Sequence, residues 1–449
     1  MIAGTGSGCG KTTVTCALLA ALKRLNKNVV SFKCGPDYID PLFHRKATEV
    51  DPFNLDPYLM GKEGVTESLQ FHSTGRDIAL IEGAMGLYDG IGMGSEASAN
   101  HLAQMTHTPT LLVIDTKGKA LSICAEIEGY LKFGKNNIVA VILNRTKSSM
   151  YSRYKEMIEN RTGVKVAGFL PNIPETNIES RHLGLVTADE IQDIRHKIAL
   201  LGNNALKTVD FETLLELAKT IECCNPAETN HRPEQRNPIV RIYVAHDEAF
   251  CFRYEDNHRI LRESGAELCF FSPLHDGCIP EDADGLIFWG GYPELHAAVL
   301  ARNETFKRSI RQKHEHGLPI YAEGGGFMYL LEHLTEGQGS KYPMLGIIDG
   351  ETFMTDRLQQ FGYVELESHK NNILCGKGDK IKAHSFHYSA ATNEGGDFTA
   401  TKASGTGFFP CIFATEKLFA GYPHIHFGRY KHLAANFINA CFHFRTTKK

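Results

Sequence analysis

The stretch GTGSGCGKTT, residues 4–13, has the residue types that hold phosphates. Glycines let backbone N–H groups turn inward around phosphate oxygens, and a following helix adds the positive end of its dipole. Gly6, Gly8 and Gly10 supply the turn. Lys11 suits the outer phosphates, and the Thr12 hydroxyl, with Thr13 beside it, suits Mg²⁺. Five residues separate Gly4 from Gly10, one more than the strict G-x-x-x-x-G-K-[ST] spacing, and Thr5 holds the strict position. Carboxylates come from two further stretches. KCGPDYIDPLFH carries Asp37 and Asp40, and LIEGAMGLYDGIG carries Glu82 and Asp89. Hard oxygen ligands together with phosphates suit Mg²⁺. Each acid alone reads as a helix cap or a solvated loop charge; what points to a site is that each follows an apolar strand-like run. Phosphoryl transfer needs positioning and charge neutralisation more than a covalent catalyst.

A second chemistry is suggested by YAEGGGFMYL, residues 321–330. An apolar run, a sharp glycine turn and a helical segment form the outline of a nucleophile elbow. The tip, Gly324, has no side chain with which to attack a carbonyl. Glycine does suit the unusual φ/ψ of such tips, so the turn itself survives. Cys251, Cys375 and Cys411 lie away from any elbow, and nucleophile geometry tolerates little displacement.

The elements that must position these residues alternate. VTCALLAALKRL has helical apolar spacing, with Val14, Leu18 and Leu22 on one face. NVVSF, DIALI, TLLVID, NIVAVIL and VKVAGFL read as strands between helices, which argues for a parallel sheet covered on both faces. The first strand, MIA, is short: either the strand itself is short or the natural start lies upstream. Residues 222–238, ECCNPAETNHRPEQRNP, are polar and proline-rich and read as a linker. A second α/β series follows in IVRIYVA, AELCFFSP, DGLIFWGG and LPIYA. The expected organisation is two doubly wound α/β domains, 1–221 and 239–449, around that linker.

Composition is that of a soluble globular chain: 449 residues, 42% hydrophobic, 22% charged, net charge −4. That balance gives no electrostatic footprint for nucleic acid. No apolar run reaches membrane-spanning length, and the start lacks the features of a signal peptide. The 12 cysteines include no C-x-x-C pair and read as reduced thiols of a cytoplasmic protein.

The stretches GTGSGCGKTT, KCGPDYIDPLFH, NLDPYLMG, IEGAMGLYDG and HLGLV together resemble the synthetase half of the cobyrinic acid a,c-diamide synthase family, and the loop spacing is also that of dethiobiotin synthetase. FCFRYEDN, FFSPLHD, GGYPELHA, YAEGGGFMYL, SFHYS and GYPHIHF resemble the family's class I glutamine amidotransferase domain. The resemblance implies a P-loop NTPase-like domain followed by a flavodoxin-like amidotransferase domain, and a homodimer. It implies that ATP phosphorylates two carboxylates of a tetrapyrrole, cobyrinate, and that ammonia drawn from glutamine displaces each phosphate. On it, Lys11 and Thr12 serve the nucleotide and Mg²⁺; Thr12, Asp37 and Glu82 serve the metal; Asp37, Tyr38, Asp40 and Asp89 serve the substrate or acyl phosphate; Asn144 reads the adenine edge. In the second domain the family's nucleophilic Cys falls at Gly324. Its His falls in GYPHIHF, at His424 rather than His426. Trp289 stands where the family has Gly, and Ser385 where it has Glu.

The resemblance leaves alternatives. The same motifs serve nickel sirohydrochlorin or hydrogenobyrinate as substrate. With its own nucleophile gone, the chain would use free ammonia. A reading of another class is a non-catalytic, nucleotide-switched regulatory protein, against which the complete Lys11, Thr12, Asp37, Asp40 and Glu82 set argues.

Overall fold

The structure, a computed structural model, describes residues 1–176, 193–219, 239–337, 339–405 and 407–447. The HLGLV stretch and the linker 222–238 lie outside the described residues. The chain divides into two compact units, Met1–Thr229 and Asn230–Lys449.

In the first unit the apolar runs become seven strands: β1 (Ile2–Gly4), β2 (Val29–Cys34), β3 (Phe53–Leu55), β4 (Ile78–Glu82), β5 (Thr110–Asp115), β6 (Ile138–Asn144) and β7 (Lys165–Phe169). They form one sheet in the order β3-β2-β4-β1-β5-β6-β7, every pairing parallel. In such sheets ligands bind beyond the carboxyl ends of the strands. Helix α1 (Lys11–Arg24) opens directly from the glycine loop after β1, and its apolar face, Val14, Leu18 and Leu22, is buried. Helix α2 (Ile39–Thr48) opens after β2 and carries Asp40 and His44 one turn apart, on the same face.

In the second unit four strands, β8 (Val240–Ala245), β9 (Ala266–Phe271), β10 (Gly285–Phe288) and β11 (Ile320–Glu323), join the strand Leu418–Gly421 in a parallel sheet. Their order, β9-β8-β10-β11 and then Leu418–Gly421, is the flavodoxin-like 2-1-3-4-5 winding. Two further sheets extend this unit. One is antiparallel and pairs Gln360–Ser368 with Lys380–His387; its edge strand, His424–Ile425, places His424 opposite His384. The chain therefore leaves the parallel sheet at Gly421 and enters the antiparallel one three residues later, at His424. That crossing sets a histidine beside the end of β11.

Candidate active site

In the first unit the glycine loop is shaped for an anion. Gly8 and Gly10 have φ of 77° and 97°, and Cβ atoms at Gly6 or Gly8 would meet nothing within 4 Å. Lys11 folds back to donate to the Gly6 carbonyl at 2.9 Å, and Thr13 lies beside Thr12 in the first turn of α1. Tyr130 donates to the Thr5 carbonyl at 2.6 Å and so ties the loop to the helix Ser122–Phe133.

Behind the loop lies a cluster centred on Glu82, which is fully buried at the end of β4. Glu82 Oε1 accepts from the Thr12 hydroxyl at 2.7 Å and from Lys33 Nζ at 2.9 Å. Its other oxygen, Oε2, lies 2.7 Å from His44 Nε2. Lys33 also donates to Asp40 Oδ2 at 2.5 Å and lies 3.9 Å from Asp37. Burial works against the Lys33 ammonium, but Asp40, Glu82 and Asp37 outweigh it and hold the group well above the usual lysine range. Glu82 is driven the other way: burial raises it, yet Lys33 and the hydrogen bond from His44 leave it below the usual carboxylate range. Asp40 is raised by burial and by the Asp37 and Glu82 charges, with Lys33 opposing. Glu82 is thus the carboxylate of the group held below its usual range, and Asp40 the one held above it.

The other expected residues have partners of their own, and Asp37 reaches the cluster only at its edge. Asp37 turns its Oδ1 to the N–H groups of Ile39 and Asp40, at 2.8 and 3.2 Å, and so caps the entry to α2. Tyr38 is the N-cap residue of that helix. Asp89 is exposed and accepts from the Gly86 N–H at 2.8 Å, closing its own loop. Asn144 has a partner of its own in the glycine loop. Its amide donates to the Cys9 carbonyl at 2.9 Å, and a Cβ at Gly10 would fall 1.9 Å from its Nδ2. Buried against the loop, the amide holds the loop's shape. Lys33 and His44 are the residues that motif reading missed. Lys33 is the one charged residue in the fully buried strand VVSFKC, and His44 follows Asp40 by four positions on α2; both signals were present in the sequence.

Among the described residues no three His, Cys, Asp or Glu side chains are arranged to hold a metal by themselves. The Thr12 and Glu82 oxygens, 2.7 Å apart, nonetheless suit a phosphate-bound cation. Neighbouring ligands around Mg²⁺ lie about 3 Å apart, and phosphate and water oxygens complete such sites.

In the second unit β11 runs into Gly324, with φ 51° and ψ −116°, and the short helix Gly325–Leu330 follows. A Cβ at Gly324 would stand 2.8 Å from both Cε1 and Nε2 of His424 and 3.7 Å from Gly290 Cα. The His424 ring therefore fills the space into which a nucleophile would project. His424 Nδ1 lies 3.2 Å from Glu323 Oε2; the carboxylate's Oε1 accepts from the Ile425 N–H at 2.8 Å and from the Tyr321 hydroxyl. His426 is turned elsewhere: its Nδ1 accepts from the Gly428 N–H at 3.0 Å, and burial holds the ring down at about 4. Trp289 does not enter the site. Its ring is buried against Tyr321 and Phe427, and its N–H donates to His258 Nε2 at 2.9 Å. Ser385 is buried, and its hydroxyl has no partner among the described residues. Glu294 lies one residue past Pro293, which packs on Gly325. Its Oε2 is enclosed without a partner among the described residues, and burial pushes the carboxyl up to about 7.

Residues 1–186 match the CobQ/CobB/MinD/ParA nucleotide binding domain, and residues 241–432 match the CobB/CobQ-like glutamine amidotransferase domain. With the loop and the elbow just described, they define a ligase that joins a nucleotide-binding unit to a glutamine amidotransferase-type unit. The chain is 38% identical to a cobyrinate a,c-diamide synthase of Caldanaerobacter subterraneus, over 98% of each chain. It is 40% identical to one of Fusobacterium nucleatum, over 96% of this chain and 98% of that one. The chain belongs to the cobyrinate a,c-diamide synthase family, ligases that form C–N bonds. Solved structures align with one half each. A glutamine amidotransferase is 18% identical over 44% of this chain and 98% of its own, with TM-score 0.32. MinD of Aquifex aeolicus is 17% identical over 49% of this chain and 94% of its own, with TM-score 0.31. Among the described residues no helix is long and apolar enough to cross a membrane.

Proposed function

We propose that this ligase uses ATP and Mg²⁺ to amidate the a and c side-chain carboxylates of cobyrinate through acyl phosphates, with free ammonia as its nitrogen source. The observation that carries the first half is Glu82, shared by Thr12, Lys33 and His44 behind a phosphate-shaped loop. Thr12 and Glu82 would hold Mg²⁺, which supplies charge neutralisation at the phosphate oxygens. Lys11 and the loop N–H groups take the remaining phosphate charge, and Asn144 keeps the loop in register. Asp37, Tyr38, Asp40 and Asp89 serve the substrate or the acyl phosphate. A substrate carboxylate oxygen attacks the γ-phosphorus, and the bond to the bridging oxygen breaks with its electron pair leaving on ADP. Ammonia then attacks the acyl carbon, and phosphate leaves carrying one ammonia proton.

Gly324 supports the choice of nitrogen source. Without a thiol no glutamine thioester forms, and removing the nucleophile of a well-studied protease costs on the order of 10⁶ in rate. The test is product mass and ADP release with cobyrinate, comparing ammonium salts with glutamine. Turnover with ammonium and little with glutamine is expected. Equal turnover with glutamine sinks the ammonia reading. Product only from nickel sirohydrochlorin moves the substrate, and no ATP turnover with any tetrapyrrole acid favours a regulatory protein.

A further inference from the structure

We infer that His44 is a positioning residue: its Nε2–H fixes the rotation of the Glu82 carboxylate and thereby the oxygen that Glu82 presents beside Thr12. This rests on the reading of Glu82 as metal-facing. The two oxygens of Glu82 have different neighbours. Thr12 and Lys33 share Oε1, whereas His44 holds Oε2 at 2.7 Å, with both side chains fully buried. Without the His44 hydrogen bond, the carboxylate could turn about its terminal bond, a broad torsion, and Oε1 would leave the Thr12 hydroxyl.

The far side of the ring gives the orientation. His44 Nδ1 is buried with no partner among the described residues. An N–H there would be an unmade buried hydrogen bond, costing about 1–3 kcal/mol. The ring is therefore the tautomer with its hydrogen on Nε2, a donor aimed at Glu82. Helix α2 supplies the rigidity. Asp40 and His44 lie one turn apart on it, and Thr48 Oγ1 donates to the His44 carbonyl at 2.9 Å. Carboxylates that ligate metals are commonly held by such an outer partner, and losing it costs about 10–100-fold in metal affinity.

The experiment uses the full chain with Mn²⁺ and ADP, reading free Mn²⁺ by electron paramagnetic resonance and the fold by thermal melting. His44→Leu keeps much of the side-chain volume and removes the donor; His44→Gln retains an amide N–H near the Nε2 position. The expected result is Mn²⁺ affinity about 10–100-fold weaker in His44→Leu, with metal-free ADP binding unchanged, and recovery to within a few-fold in His44→Gln. Parental Mn²⁺ affinity in His44→Leu overturns the inference, as does a His44→Gln variant no better than His44→Leu. If His44→Leu does not fold, His44→Asn takes its place: the shorter amide cannot reach Oε2, so Asn matching Gln overturns the inference. Glu82→Gln separates the two readings. Loss of Mn²⁺ in Glu82→Gln with parental binding in His44→Leu removes only the role of His44. Parental binding in Glu82→Gln removes the metal reading and this inference with it.

Discussion

His424 is held by the residue immediately before the elbow tip: its Nδ1 lies 3.2 Å from Glu323 Oε2, while its Nε2 stands 2.8 Å from the point where a Cβ of residue 324 would be. A histidine and a carboxylate thus stand paired beside the tip, and the ring occupies the room into which a side chain at 324 would project. Real Cβ atoms do not approach that closely, so a side chain at 324 must push the ring aside.

Gly324→Cys is expected to gain measurable glutamine hydrolysis and to lose stability. A φ of 51° with ψ of −116° strains any residue with a Cβ by about 1–3 kcal/mol. Urea unfolding and a glutamate-release assay read the two effects. Adding Glu323→Gln is expected to abolish the gain by releasing His424. A cysteine variant as stable as the parent would contradict the strain argument.

Trp289→Gly, although it restores the residue type expected at that place, is expected to destabilise the second unit by about 3–5 kcal/mol, because the indole fills the core beside Tyr321 and Phe427. It is expected to add no glutaminase activity, either alone or with Gly324→Cys. Denaturant midpoints and glutamate release check this.

Lys33→Met leaves the buried Glu82 and the half-buried Asp40 without their shared cation. Breaking a buried pair in this way costs about 3–5 kcal/mol. Both a lower melting temperature and loss of ATP turnover are expected. A stable, active variant would show that neighbouring groups carry the charge without Lys33.

Gly10→Ala meets two obstacles, a φ of 97° and an Asn144 Nδ2 only 1.9 Å from the new methyl. It is expected to unfold earlier and to bind ATP poorly. Asn144→Ala removes the second obstacle, so the double variant is expected to be less damaged than the sum of the two. Strict additivity of the melting shifts would refute the close approach.

Glu294 gives a pH dependence with a definite sign. Its folded pKa, about 7, lies above the usual value near 4.5 because of burial. Such a group favours the fold below about pH 4.5 and loses that contribution as pH rises through 7. The loss is at most about 3 kcal/mol. Glu294→Gln is therefore expected to be more stable than the parent at pH 8 and no more stable at pH 4.5. Parallel melting curves across that range would show that the carboxyl is not enclosed.

The alternation of apolar runs with helical spacing made both doubly wound sheets legible, because burial on both faces leaves that pattern in any parallel strand. The phosphate loop was legible for the same local reason: its glycines, Lys11 and Thr12 are contiguous. Lys33 was visible only as a charge in an apolar run, and that charge gains its meaning when the neighbouring strand brings Glu82 alongside it. The contact of Asn144 with the glycine loop was not legible, because a strand-terminal amide can face a ligand or a loop and the sequence does not say which is nearer. Trp289 misled through strand pleating: the sequence put it in the oxyanion stretch, but its side chain points into the core. Glu323 lay in plain view within YAEGGG, yet its partner His424 is about a hundred residues away.

The turn at Gly324 owes its shape to its surroundings. The Gly324 N–H donates to the Gly421 carbonyl at 2.9 Å, its own carbonyl accepts from Met328 N at 3.0 Å, and Gly325 and Gly326 are pressed against Pro293 and Phe288. A backbone moulded by its neighbours does not depend on a side chain at its tip. Some glycine codons lie a single base from a cysteine codon, and from such a codon one point mutation would place a thiol at a tip that has a histidine and a carboxylate beside it. The elbow is a frame that does not depend on the side chain at its tip, so a thiol there could be gained without rebuilding the fold.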